Sequence, residues 1–170
     1  SEINVDLNRI DFDDAFLGIE PGDDIKSELE ILKSQYPNLT DIFIKNIMQF
    51  QRPRDTSDLY LNNINGFLES DIIQGLKVDI DSVYRDRSSI DRRFEQAFKY
   101  LKHYFPEKNT PRLYYLMTEF SYATFIFPES KTRDGLGVSL DMFLGRSYPY
   151  KELFPTNAAF SGYLTASFDK

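Results

Sequence analysis

The sequence predicts an α+β fold, with helices packed on a small, mainly antiparallel sheet of three to four strands. Three observations lead there. Apolar residues recur at helical spacing through most of residues 12–105, the period changes to 2 after Pro111, and turn signals divide residues 113–142 into three close strand-length runs. Helices followed by neighbouring strands are the pattern of α+β domains. The chain has 170 residues, which suits one domain and buries roughly 70% of the unfolded surface without a disulfide staple. Its 15 Phe and 11 Tyr argue against disorder, because disordered chains are poor in aromatic residues.

Val5, Leu7 and Arg9 alternate with Asn4, Asp6 and Asn8, which predicts a short half-buried strand. Phe12, Phe16 and Leu17 follow at helical spacing, and Glu20-Pro21-Gly22 is a turn. Asp23 or Asp24 then caps a helix by accepting from its free N–H groups. Ile25, Leu29, Leu32 and Tyr36 form its inner stripe, and Pro37 stops it. A second helix opens at Asn38 or Thr40, with Leu39, Phe43, Ile47 and Phe50 on one side, until Arg52-Pro53-Arg54 breaks it. A third runs from Ser57 to Ser70 around Leu61, Ile64 and Leu68, whereas residues 71–87 are ambiguous beyond a short helix ending near Gly75. The clearest helix spans 89–105. Ser89 caps it, Asp91 complements the dipole in its first turn, and Ile90, Phe94, Phe98, Leu101 and Phe105 make its apolar stripe.

Beyond Pro111, Leu113, Tyr115 and Met117 alternate with Tyr114 and Leu116 in one strand, and residues 120–127 alternate in a second. After a polar loop ending Asp134-Gly135, Leu136, Val138, Leu140 and Met142 share one face of a third, which predicts a meander with helices covering one face. Residues 1–110 are then mostly helical after an initial strand, 111–145 a β-meander, and 146–170 a loop and the start of a further helix carrying Phe160, Tyr163, Leu164 and Phe168. The abrupt end of that last pattern is expected of a fragment of a longer chain.

Composition removes several chemistries. The absence of Cys excludes thiolate metal sites and thiol nucleophiles in this segment. A single His, His103, excludes HExxH or three-His zinc sites built from these residues alone. It falls in the last turn of the 89–105 helix, where a partly charged imidazole suits the free carbonyls. A net charge of −7 opposes phosphate-backbone binding, so no nucleic-acid partner is expected. No apolar run approaches the ~18–20 residues of a membrane span, and the start has no signal-peptide pattern. Ten acids against two bases make residues 1–30 strongly acidic, but Asp11-Phe12-Asp13-Asp14 lacks calcium-loop spacing, and a solvated acidic face is expected.

The motifs are weak. Gly135-Leu136-Gly137 lacks the third glycine of a dinucleotide loop and leads into a strand. Ser167-Phe168-Asp169-Lys170 matches SxxK without its companion elements. The eight bases of residues 85–112 read first as the wet face of an amphipathic helix. Glu107 and Glu119 flank a strand without any fixed separation. Asp141 interrupts an apolar strand just before the aromatic loop of Phe143, Tyr148 and Tyr150, and a buried Asp there needs donors. Backbone N–H groups of residues 145–150 are the expected ones, with a ligand-facing role as the alternative.

The stretch Tyr104-Phe105-Pro106, then Pro111 and a Tyr-rich strand, then Gly137-Val138-Ser139-Leu140-Asp141-Met142-Phe143-Leu144-Gly145, then Tyr148, Tyr150 and Pro155, resembles the GldB gliding-motility lipoproteins of Bacteroidetes. Asn8-Arg9-Ile10-Asp11-Phe12-Asp13 is similar to their opening "RFD" strand, with Ile10 inserted, and Leu32 to Pro37 is similar to their "L…YP" helix end. Phe143 stands where the family usually has Tyr. The resemblance covers most of the chain as the N-terminal part of such a protein. It implies a membrane-associated, periplasm-facing protein of the cell envelope, anchored through a lipidated Cys upstream of Ser1, with other envelope motility and secretion proteins as partners. It carries over no catalytic residue, metal or cofactor.

The expected function is therefore a non-enzymatic envelope lipoprotein supporting gliding through protein–protein interaction, with Asp141, Phe143, Tyr148 and Tyr150 as its contact surface, since exposed Tyr is a good interface anchor. The rival is enzymatic: the substrate-shelf half of a zinc-peptidase-like protein whose metal site lies C-terminal to Lys170.

Overall fold

Helices occupy the chain from Phe12 to Tyr104, as its apolar period requires. The computed structural model describes residues 3–153, 155–157 and 159. The expected helix start around Phe160 to Phe168 lies outside them. Residues 4–8 form no strand, and the first one, β1, is Ile10–Asp11. It leads directly into α1 (Phe12–Leu17), and α2 (Ile25–Gln35) follows with Asp24 accepting from Ser27 N at 3.2 Å. Pro37 stops α2 and also starts α3 (Pro37–Ile42), because its missing N–H costs nothing in a first turn. A π-helical turn, Phe43–Ile47, closes that segment.

α4 (Tyr60–Glu69) starts three residues later than the expected Ser57; ahead of it the chain turns more tightly, with Leu61 N and Asn62 N each donating three residues back, to Asp58 O and Leu59 O at 3.1 Å. The ambiguous stretch is a full helix, α5 (Asp71–Val83). Ile73, Leu76 and Ile80 are buried, but exposed Ile72 and Val78 blur the stripe, and Gly75 lowers the propensity mid-helix. α6 (Ser88–Tyr104) is capped from outside: Asp86, not Ser89, accepts the Ser88 N–H at 2.9 Å.

The remaining strands are β2 (Arg112–Leu116), β3 (Thr124–Pro128) and β4 (Asp134–Ser139). The sheet is mixed, not mainly antiparallel, and its order is β1-β2-β4-β3. β1 with β2 and β2 with β4 pair in parallel, and only β3 with β4 is antiparallel. β4 inserts between β2 and β3, so the expected meander does not form. Helices also cover both faces. Tyr114 meets Tyr36 between α2 and α3, whereas Tyr115 packs against Phe94 of α6. That sandwiching buries every residue from Leu113 to Met117, as usual for central parallel strands.

Two glycines serve this topology. A Cβ on Gly135 would lie 2.2 Å from the Phe127 ring, and one on Gly137 2.4 Å from the Phe125 ring. The Gly135-Leu136-Gly137 motif is a seat for the aromatic rings of the edge strand. Under the other helices, Phe43 sits edge-on to Phe12 and Phe16, with centroids 5.2 and 4.9 Å away.

Phe43→Ala is expected to cost about 3–5 kcal/mol through lost transfer energy and the cavity it leaves. Ile72→Ala, at a position 76% exposed, should stay within about 0.5 kcal/mol of the parent. Urea unfolding of both variants checks the contrast.

Candidate functional site

Two polar clusters penetrate the interior. The first joins the N-terminus to α6. Arg87, 8% exposed, donates from Nη1 to Asp11 Oδ1 at 2.7 Å and to Asp13 Oδ1 at 2.9 Å, and from Nη2 to Asp13 Oδ2 at 2.8 Å. Arg9 bridges Asp91 at 2.6 Å and Asp11 at 3.1 Å, and the Tyr115 hydroxyl donates to Asp91 at 2.8 Å. Both guanidinium carbons lie within cation–π range of the Tyr115 ring, at 5.8 and 5.7 Å. Burial pushes the Asp13 carboxyl up to about 6, against the lowering pull of Arg87. Burial also opposes the Arg87 charge, yet Asp13, Asp11 and Asp14 hold that guanidinium above the ordinary arginine value.

Asp11, Asp13 and Asp14 bring carboxylate oxygens within 4.8 Å of one another, a grouping able to hold a cation. Arg87 is already bonded into it, with Asp14 at 3.5 Å as its third acidic neighbour. The expected solvated acidic face is thus partly interior. No spacing in the sequence marks Asp13 as the partner of a residue 74 positions away.

The second cluster contains the four residues expected to form a contact surface. β4 ends at Ser139, and Asp141 lies in a 3-10 turn, Leu140–Phe143, not within a strand. Its carboxylate accepts from Thr118 N at 3.3 Å and from Phe120 N at 2.6 Å. The donors thus come from the bend after β2 rather than from residues 145–150. That bend holds Glu119 and Phe120 at φ of 52° and 61°, and Asp141 fixes this uncommon backbone. Desolvation raises the Asp141 carboxyl to about 6, while the two N–H bonds pull it down.

Tyr150 clamps the same corner. Its hydroxyl donates to Asp141 O at 2.9 Å and accepts from Leu144 N at 2.9 Å. Burial pushes its phenol up to about 12. The Tyr148 ring lies 4.9 Å from that of Tyr150, and its hydroxyl donates to Asp79 of α5 at 3.0 Å. Tyr84 donates to the Phe143 carbonyl. Asp141 and Tyr150 are fully buried, whereas Phe143 and Tyr148 are half-buried. The structure therefore brings all four together, two as the support and two as the rim.

The weaker candidates stay apart. His103 is exposed at the end of α6, edge-on to Tyr104, and Glu107 and Glu119 are exposed. The basic run of residues 85–112 is largely engaged: Arg87 as above, Lys99 with Glu95 at 2.7 Å, Arg112 with Glu129 at 3.0 Å, and Lys102 with the carbonyls of Pro106 and Lys108. Glu129 also accepts from the Tyr114 hydroxyl, a pairing that nothing in the sequence pattern announced. Ser167 to Lys170 lie outside the described residues.

A family model labelled as a GldB lipoprotein and described as gliding motility protein GldB matches residues 1–170. The chain belongs to the GldB gliding-motility family. No curated protein and no solved structure matches it. The block of residues 134–155, the most specific part of the resemblance to GldB proteins, contains the corner built on Asp141 and Tyr150. Among the described residues of this GldB-family chain, no helix is long and apolar enough to cross a membrane.

Arg87→Met leaves Asp13 buried without its counter-charge and is expected to cost about 3–5 kcal/mol. Arg87→Lys should recover only part of this, because an ammonium lacks the planar fork. For Asp141 the folded pKa, about 6, lies above the unfolded value of 3.8. The native state then holds the extra proton between those values. Its contribution to stability is greatest below pH 3.8 and declines up to about pH 6, by at most ~1.4 kcal/mol per pH unit. Urea midpoints of the parent and of Asp141→Asn, followed from pH 4 to 7, should show this decline in the difference between the two proteins.

Proposed function

We propose that this chain supports gliding motility and the associated secretion apparatus through protein–protein contacts, as a non-enzymatic, lipid-anchored and periplasm-facing protein of the cell envelope. The observation that carries this reading is the fate of its two strongly shifted carboxyls. Asp13 is bound to Arg87, and Asp141 to the backbone of the bend at residues 118–120. Both are spent on structure, whereas a catalytic acid or base needs to reach a substrate. The 140–150 corner exposes Arg146, Ser147 and Pro149 and keeps Phe143 and Tyr148 half-buried beside them, over the buried Asp141 and Tyr150. Rigid aromatic side chains of this kind anchor protein interfaces. The partners are other envelope motility and secretion proteins.

The peptidase-shelf alternative draws support from β3, because an antiparallel edge strand is a natural support for an extended substrate. Zinc itself does not fit the described residues. Among the described residues His103 belongs to no group of three or more possible metal ligands, the chain has no Cys, and Arg87 is bonded into the carboxylate group of Asp11, Asp13 and Asp14.

Clean deletion of the parent gene should give cells that do not move on glass and do not secrete surface adhesins, with both restored by the intact gene. Phe143→Ala with Tyr148→Ala, at normal protein level, should restore neither. Normal movement and secretion in the deletion strain refute the motility reading. Zinc bound by the full-length protein together with peptide cleavage would support the alternative.

A further inference from the structure

The stripe of α6 is the place where the hydrophobic pattern remains incomplete. Of Ile90, Phe94, Phe98, Leu101 and Phe105, Phe98 alone is buried, and Phe105 is 52% exposed. Between α6 and the strands β3 and β4 lies a mainly apolar trough of about 320 Å³, whose lining includes Ile90, Arg93, Phe94, Thr124, Val138, Leu140 and Phe143. Ile126, on the same side of β3 as Thr124, is 62% exposed.

β3 borders this trough and is the edge of the sheet. Ser139 N donates to Ala123 O at 2.9 Å, so the ladder to β4 uses the main chains of Ala123, Phe125 and Phe127. Thr124 and Ile126 therefore direct their N–H and C=O groups away from the sheet. At the far end the edge is closed, because Asn38 Nδ2 donates to Pro128 O at 2.7 Å and to Glu129 O at 3.1 Å. Nothing comparable covers Thr124 and Ile126 among the described residues, and β3 carries no charged side chain of the sort that blunts exposed edges. Arg93 has no carboxylate within ion-pair distance among the described residues, in contrast to Arg9, Arg87 and Arg112.

We propose that the open edge of β3 and the trough beside α6 form one docking site for an extended segment of a partner protein, which adds a strand to the sheet, points apolar side chains into the trough and presents an acidic side chain to Arg93. Three features select this occupant. An extended backbone matches the outward row of donors and acceptors at Thr124 and Ile126. The trough takes apolar side chains at every second residue of that strand. Arg93 supplies the complementary charge at the Thr124 end. The inference rests on the protein-contact reading above and extends its contact from Phe143, which also lines the trough, to the edge of β3.

The test uses the purified chain and a labelled probe peptide, Glu-Thr-Val-Thr-Val-Thr-Glu, whose sequence reads the same in both strand directions. Binding should slow exchange of the Thr124 and Ile126 amides and move their NMR signals. The same peptide with Lys at both ends, or with a central Pro, should bind markedly less. Arg93→Glu should weaken binding of the acidic peptide roughly fivefold and improve that of the Lys peptide. Ile126→Pro removes an N–H that the β3–β4 ladder does not use, and should weaken both roughly tenfold.

Equal binding of the acidic and Lys peptides overturns the proposal. So do unchanged Thr124 and Ile126 amides, or amides already protected in a concentration-dependent way, which would make a second copy of this chain the occupant. In cells, Arg93→Glu and Ile126→Pro chains that fold normally should fail to restore gliding. If they restore it, the edge site is overturned while the motility role stands. If the deletion strain glides without any complementing gene, it is the motility role that fails.

Discussion

Burying one guanidinium organises half of this molecule. Arg87 follows α5, and its side chain is drawn under α1, where Asp11 and Asp13 receive it. A buried charge of this kind survives only if its partners are rigid and its donors are used. The requirement fixes the short strand β1 against β2, sets the start of α1, and holds the first turn of α6 over the central strand through Arg9, Asp91 and Tyr115. Segments from three distant parts of the chain thus meet at one fork of hydrogen bonds. Replacing the set with apolar side chains would remove the directional constraint that says which edge of β2 the N-terminal segment takes.

A second constraint governs the opposite side of the sheet. β2 and β3 are consecutive strands that do not pair, so the chain must leave β2, pass the position β4 will occupy, and return along its outer edge. The bend at residues 118–120 performs this with Glu119 and Phe120 at positive φ, and Asp141 accepts the N–H groups of Thr118 and Phe120. Asp141 comes from the turn that follows β4, the strand filling the gap. The glycines of β4 complete the arrangement, since Phe125 and Phe127 fit beside β4 only where no Cβ intervenes. Sheet order, bend and aromatic seat are mutually dependent, and the half-buried rings of Phe143 and Tyr148 rest on them.

Charge and aromatic content take on a functional meaning only in this setting. Asp141 and Tyr150 read in the sequence as members of a contact surface, and the structure buries both of them. The acidic N-terminal segment reads as a solvated face, yet two of its carboxylates are tied to Arg87. In both cases the residue types are right and their depth is not legible, because depth depends on what packs from elsewhere. The open side of α6 is the converse case. Its stripe is the clearest helical signal in the chain, and the structure leaves most of it half-covered beside an unpaired strand edge.

Local order is what the sequence determined. The helices α1, α2 and α6, a cap at Asp23 or Asp24, the strand segments after Pro111 and the resemblance of residues 134–155 to GldB proteins follow from residues within a few positions of one another. These are the distances over which capping, periodicity and turn chemistry act. α5 escaped because Gly75 and two exposed apolar residues disturbed that local signal. Tertiary structure alone decided that β4 lies between β2 and β3, that helices cover both faces, that Arg87 is buried with Asp13, and that Asp141 serves the bend after β2. Apart from the β3–β4 pairing, each of these joins residues at least 21 positions apart, and the choice among possible partners is made by collective packing, which no local spacing encodes.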